Sequence, residues 1–150
     1  MIQKIRVHTL HAPGAAAGRL AGNGSAIDVS DAQNITIVAE INKGDAAAIT
    51  LAPQGDDAAA TGFAAITNNA KIFAAVDTGT SDAPVRQTDA VEYVSGAVDT
   101  THRVVMQINP DSLGNLAAGG PITQLRVVVS GGHADDRGSI TAYVEPRYKP

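Results

Sequence analysis

The chain alternates apolar and polar residues over short segments, which is the pattern of β-strands with one buried face. Residues 34–42 show it most clearly, with Ile35, Ile37, Ala39 and Ile41 on one face and mostly polar side chains on the other. No segment has a convincing apolar period of 3.6 residues, the period of an amphipathic helix. The pattern therefore predicts an all-β fold.

Short segments rich in Gly, Asn and Asp separate the predicted strands, as expected for turns. We interpret residues 42–45 and 131–136 as hairpin turns. A length of 150 residues suits one domain with a core of its own. We predict an antiparallel β-sandwich, jelly-roll-like, over residues 25–150. The other predicted strands are residues 25–29, 47–52 (ended by Pro53), 71–76, 91–94, 102–109, 124–130 and 139–145.

The N-terminal 24 residues differ in charge from the rest of the chain. No Asp or Glu precedes Asp28, whereas Lys4, Arg6 and Arg19 give this segment a formal charge of +3. Because the whole chain carries −4, the remainder carries −7. We predict that these three basic side chains dock on an acidic partner surface, the alternative being chance clustering in a short segment.

The same segment is also unusual in composition. Residues 12–24 are mostly Gly and Ala, which is typical of a flexible loop or of a segment that gains order against a partner. Residues 1–9 alternate weakly and fit either a short strand or an extended arm. We predict that residues 1–24 form an extended N-terminal arm.

Composition excludes several classes of function. There is no cysteine, which excludes disulfides, thiolate chemistry and cysteine zinc sites. No segment resembles a signal peptide or a membrane span, so we expect a soluble, cytosolic product with no membrane partner. The acidic body argues against nucleic acid as a partner. Aromatic residues make up only 3%, so the core is thin, and we expect a neighbouring subunit to bury part of it.

Candidate chemistry is sparse. His133, Asp135 and Asp136 share one loop and resemble a metal or catalytic cluster, but we interpret them as a polar hairpin turn between the strands at 124–130 and 139–145. His8 and His11 fall on opposite faces of a strand and cannot share an ion unless the strand bends. No nucleophile motif or phosphate loop is complete. We therefore expect no enzyme, no cofactor and no small-molecule substrate, and leave open a loop calcium ion shared between strands.

Four stretches of the chain resemble small structural proteins that tailed bacteriophages encode in their head-gene region. They are Gly-Asn-Gly-Ser-Ala-Ile-Asp-Val-Ser-Asp-Ala at 22–32, Thr-Asn-Asn-Ala-Lys-Ile-Phe at 67–73, Ser-Asp-Ala-Pro-Val-Arg-Gln-Thr-Asp-Ala at 81–90, and Leu-Arg-Val-Val-Val at 125–129. Residues 1–21 match none of these stretches, so the arm is predicted from charge and composition alone. The motifs contain no catalytic residue to carry over.

The resemblance implies a virion component, most often a head decoration or cement protein. Such a protein binds the major capsid protein on the outside of the head, frequently as a homotrimer, and has a β-sandwich or jelly roll with a terminal arm. A tail or head–tail connector component is one alternative. A carbohydrate-binding β-sandwich is another, with its site formed by loops 54–62, 77–84 and 131–138.

Overall fold

The structure, a computed structural model, describes residues 4–13, 20–57, 62–110 and 121–147. Within these residues the chain forms twelve β-strands and no helix, so none of the described residues belongs to a helix able to cross a membrane. The strands are β1 (Arg6–His11), β2 (Gly22–Asn23), β3 (Ile27–Asp28), β4 (Ala32–Asn42), β5 (Ile49–Asp57), β6 (Ala64–Ala65), β7 (Lys71–Ala75), β8 (Val85–Arg86), β9 (Tyr93–Val94), β10 (Thr101–Ile108), β11 (Ile122–Gly131) and β12 (Arg137–Pro146).

The strands form two antiparallel sheets. The front sheet has the order β1-β12-β4-β10-β7-β8. The back sheet has the order β2-β11-β5-β6, with β3 also paired to β11 and β9 also paired to β5. This architecture confirms the predicted all-β, sandwich-like fold.

The alternating pattern of the long strands points one face of each into the core. All four apolar residues of β4 named above are at most 1% exposed, as the pattern predicts. The inward positions of three further long strands are at most 3% exposed, and each large aliphatic side chain buried there contributes about 1.5–3 kcal/mol. These inward positions are Val104, Met106 and Ile108 in β10, Leu125, Val127 and Val129 in β11, and Ile140, Ala142 and Val144 in β12.

The two turns interpreted as hairpins are crossovers between the sheets. β4 pairs with β10 and β12 in the front sheet, whereas β5 pairs with β11 in the back sheet. The segment between β4 and β5 and the segment between β11 and β12 therefore both pass from one sheet to the other, and the hairpin interpretation is wrong. A short polar turn can join two strands of the same sheet or two strands of different sheets. The composition of a turn therefore does not distinguish a hairpin from a crossover.

Pro53 lies inside β5 and does not end it. It stands opposite Val127, and its carbonyl oxygen accepts from the N–H of Ile66 at 3.4 Å on the other side. Since the N and O of one strand residue point the same way, the N–H that proline lacks would face this outer side and not β11. On this outer side, β9 pairs with β5 only as far as Leu51, and β6 pairs with it only from Gln54 onward. Pro53 lies between these two ladders, so no ladder hydrogen bond is lost.

The N-terminal segment contributes to the sandwich. β1 pairs with β12, and Leu10 and Leu20 are both buried in the common core. Of the two interpretations of residues 1–9, a short strand or an extended arm, the structure has a strand over Arg6–His11. The division of the chain into an arm of residues 1–24 and a sandwich domain stays a prediction.

Candidate interaction surface

β1 is an edge strand with its apolar side turned outward. It pairs with β12 on one side, and no described strand pairs with its other side. Ile5 and Val7 are 54% and 60% exposed on the outer face, where Val7 stands opposite Tyr143. An open strand edge beside exposed apolar side chains favours association with another chain. We call Ile5 and Val7 the β1 patch.

Arg6 and His8 of β1 face inward instead. Arg6 stands opposite the buried Val144, and its Nη2 atom donates to Oδ1 of Asp31. This orientation inverts the usual arrangement, in which the apolar side of a strand covers the core. Nε of Arg6 is buried without a hydrogen-bond partner among the described residues.

The three predicted interaction residues differ in their surroundings. Lys4 is exposed and directly precedes the β1 patch. Arg6 is already paired with Asp31 inside the chain. Arg19 lies outside the described residues. Sequence reasoning chose the basic residues and missed Ile5 and Val7, because alternation reveals two faces without telling which one covers the core.

A β-bulge brings both N-terminal histidines to the inner side of β1. The pairing passes from Thr9 opposite Thr141 to His11 opposite Ile140, so Leu10 is an extra residue in the ladder. This is the bend that a shared ion would require. His11 Nε2 instead donates to the carbonyl of Val127 in the back sheet at 3.0 Å, which closes this edge of the sandwich. Among the described residues, no three metal-ligating side chains cluster.

A buried carboxylate braces the second crossover. Asp136 is fully buried, and its Oδ1 accepts from the Gly44 N–H at 2.9 Å while its Oδ2 accepts from the His133 N–H at 2.6 Å. His133 and Asp135 are exposed and contact each other at 3.3 Å. The cluster therefore serves as a polar turn, in which Asp136 ties together the two crossovers.

Beside these crossovers lies a hydrogen-bonded chain formed by the buried Tyr93 and His102 and the half-buried Thr100. Thr100 donates its hydroxyl hydrogen to the carbonyl of Val76 at 2.5 Å, so His102 Nε2–H must be the donor in its 3.2 Å contact with Thr100 Oγ1. His102 Nδ1 then accepts from the Tyr93 hydroxyl at 3.2 Å. Burial lowers the pKa of His102, and the nearby Lys43 ammonium lowers it further, against a smaller opposite effect of Asp77.

Lys43 itself is only 2% exposed, and its Nζ donates to the carbonyl of Gly96 at 2.8 Å. The residue before Gly96 is the buried Ser95, whose Oγ accepts from the Ile49 N–H at 3.0 Å. Because Lys43, Ser95 and His102 are buried and already hydrogen-bonded, they hold the loops at this end of the sandwich and do not form an accessible site.

The aspartate pair of the polar loop is also structural. Asp56 and Asp57 belong to β5, and Asp56 Oδ1 accepts backbone hydrogen bonds from Asp57 at 2.9 Å and Gly62 at 3.1 Å. Residues 54–57 are thus part of a strand, and the prediction of a loop over residues 54–62 is wrong for these four residues.

The three loops proposed as one carbohydrate site do not meet. Residues 77–81 and 131–136 lie at the crossover end, since Thr78 bonds to Thr101 and Gly132 bonds to Ala48. Asp57, at the far end of β5, pairs with Ile122. Nine residues of β5 separate Ile49 from Asp57 by roughly 25 Å, so Asp57 lies too far from the other two loops to share a site with them.

Comparison with known proteins extends this picture. No protein-family model matches the chain, and no curated protein sequence matches it. The crystal structure of the SPBc2 prophage-derived protein YomS is similar over 96% of this chain and 95% of that chain, with a TM-score of 0.53 and 10% identity. The chain shares its fold with YomS. A cellulose-specific carbohydrate-binding module, CBM28, gives a TM-score of only 0.36 at 7% identity, over 96% of this chain and 77% of that one.

Proposed function

We propose that this chain is a structural protein of a tailed-phage virion, and specifically a decoration protein that binds the major capsid protein on the outer surface of the head. The observation that carries the proposal is the inversion of β1, which exposes Ile5 and Val7 on an open sheet edge. A free chain gains nothing from this arrangement, whereas a chain that docks against a neighbour buries both side chains.

The open edge also suits the way in which the neighbour would bind. An extended segment of another protein can add to a sheet edge through main-chain hydrogen bonds, while side-chain contacts supply specificity. Lys4, at the start of this edge, would meet an acidic residue of the capsid, and Arg19 would do the same. Arg6 takes a different role, because Asp31 already neutralises it.

One further observation supports a virion role. The fold neighbour YomS is described as prophage-derived, which agrees with a phage origin. A homo-oligomer, most simply a trimer, would place several β1 edges on one capsid site and raise the apparent affinity.

The test measures binding to capsid shells assembled from the major capsid protein of the same genome. Val7→Lys should weaken binding about tenfold or more, a loss of about 1.4 kcal/mol. Val85→Lys is the matched control, because Val85 is 64% exposed on β8, the opposite edge of the same sheet. Deleting residues 1–21 is unsuitable, since it would also remove the buried Leu10 and Leu20.

Each result decides one part of the proposal. Equal capsid binding by Val7→Lys and Val85→Lys would show that the β1 patch is not part of the interface. No binding by the unaltered protein would contradict a decoration role, and labelled protein seen by electron microscopy on the tail would favour the connector alternative. A monomer in native mass spectrometry would contradict the trimer.

A further inference from the structure

A polar groove of about 310 Å³ opens at the end of the front sheet that lies away from the crossovers. Its walls come from the first residues of β4 and β7 and the last residues of β10 and β12. The side chains that shape it are Asn34, Thr36, Asn69, Lys71, Gln107 and Glu145. Its volume lies at the lower end of the range, roughly 300–1,000 Å³, of small-molecule sites.

Strand register fixes the arrangement of these groups. Gln107 stands opposite Lys71 on one side and opposite Thr36 on the other, and Thr36 stands opposite Tyr143. Neighbouring strands are about 4.8 Å apart, so the row from Lys71 to Tyr143 spans roughly 14 Å. Groups carried by paired strands are held more precisely than groups carried by loops.

The groove offers both donors and acceptors that are not used within the chain. The side chains of Asn69, Lys71 and Gln107 make no hydrogen bond or ion pair with any other described residue. A primary amide donates and accepts at once, as a hydroxyl does, so a surface rich in amides complements a ligand rich in hydroxyls. Asn34 Nδ2 donates to Glu145 Oε2 at 3.1 Å, which orients the carboxylate along the groove.

Charge narrows the class of ligand. Lys71 and Glu145 carry opposite charges on the two sides of the groove, so a strongly anionic ligand such as a phosphate would meet repulsion at Glu145. Tyr143, 39% exposed at the end of the row, offers an aromatic surface for the apolar face of a ring. We propose that this groove binds a neutral oligosaccharide.

The groove and the β1 patch meet at Tyr143, which stands opposite Thr36 of the groove on one side and opposite Val7 of the patch on the other, but Gln107 lies well away from the patch. Gln107 lies in β10, and two strands, β4 and β12, stand between it and β1. A variant of Gln107 can therefore lose saccharide binding while keeping capsid binding, so the two proposals fail independently.

The experiment titrates the full chain calorimetrically with cellotetraose, maltotetraose and tetra-N-acetylchitotetraose, and with a heparin tetrasaccharide as the anionic probe. At least one neutral probe should bind. Gln107→Ala should weaken that binding about tenfold, as expected for one or two lost hydrogen bonds. Gln124→Ala, an exposed glutamine of β11 in the back sheet, is the matched control and should leave binding unchanged.

Three results would overturn the proposal. One is the absence of heat and of any melting-temperature shift with all three neutral probes. Another is equal binding by Gln107→Ala and Gln124→Ala, which would place the ligand elsewhere. The third is binding of the heparin fragment alone, which would contradict the charge argument.

Discussion

The carboxylate of Asp136 accepts a hydrogen bond from the backbone N–H of Gly44 at 2.9 Å, although 92 residues separate the two along the chain. Gly44 belongs to the crossover between β4 and β5, and Asp136 to the crossover between β11 and β12. The two segments that carry the chain from one sheet to the other are thus joined by one buried acceptor. A backbone bond from Gly132 to Ala48 at 2.7 Å reinforces this junction.

Asp136→Asn should lower the free energy of unfolding by about 1–3 kcal/mol. The amide replaces one acceptor oxygen by a donor, which takes the hydrogen-bond partner from the N–H of Gly44 or of His133 and places an amide N–H in the buried position of the lost oxygen. Asp135→Asn, at an exposed position one residue earlier, should change stability by no more than about 0.5 kcal/mol. Urea denaturation of both variants measures the difference, and equal midpoints would show that Asp136 does not brace the crossovers.

Gly138→Ala should destabilise the protein by about 1–3 kcal/mol, because a Cβ atom there would overlap the carbonyl oxygen of Glu40 in the paired strand β4. Both atoms belong to the backbone or are fixed to it, so neither can swing away. Gly96→Ala is the control, since the nearest atom to its added Cβ would be Val98 Cγ2 at 3.9 Å. Thermal unfolding compares the two, and a Gly138→Ala melting temperature equal to that of the control would mean that β4 and β12 are further apart there.

Stability should fall as the pH is lowered, in part through His102. Its pKa in the folded protein lies below its ordinary value of 6.5, so the fold favours the neutral ring. This contribution is fully present above pH 6.5 and is lost as the pH falls through the folded pKa, because the unfolded chain then binds one proton more. Protonation would also place an N–H of His102 against the Tyr93 hydroxyl, which now donates to that nitrogen.

His102→Gln should therefore flatten the dependence of the unfolding free energy on pH between 7 and 5. The control is His133→Gln, which removes an exposed histidine and should leave the slope nearly unchanged. Denaturation curves at several pH values measure both slopes. If the His102 variant keeps the slope of the unaltered protein, another group is responsible for it.

Arg6 and Asp31 should show a small energetic coupling. Both side chains are about one third exposed, so a double-mutant cycle with Arg6→Ala and Asp31→Asn should give about 0.2–1 kcal/mol, decreasing with added salt. Hydrogen exchange of the β1 amides should become faster in either variant, since the pair fastens the edge strand. Additive effects, with a coupling near zero, would show that β1 is held by its ladder with β12 alone.

Local pattern predicted much of the fold. Alternation placed β4, β10, β11 and β12 within a few residues of their observed bounds and identified their inward faces, because period-two burial is a property of one strand's own pleat. It ended β5 too early at Pro53, since nothing in the sequence reveals that the missing N–H would face an unpaired side. Composition likewise indicated the absence of cysteine chemistry without any knowledge of the fold.

The sequence by itself determined that this protein is a sandwich of alternating strands with an aliphatic core. Only the tertiary structure decided that both central turns cross between sheets, that β1 turns Ile5 and Val7 outward, and that amides from separate strands meet in one groove. The physical reason is the range of the interactions. A strand's two faces follow from neighbouring residues, whereas its partner, its register and the choice of the covered face depend on contacts with residues far away in the chain.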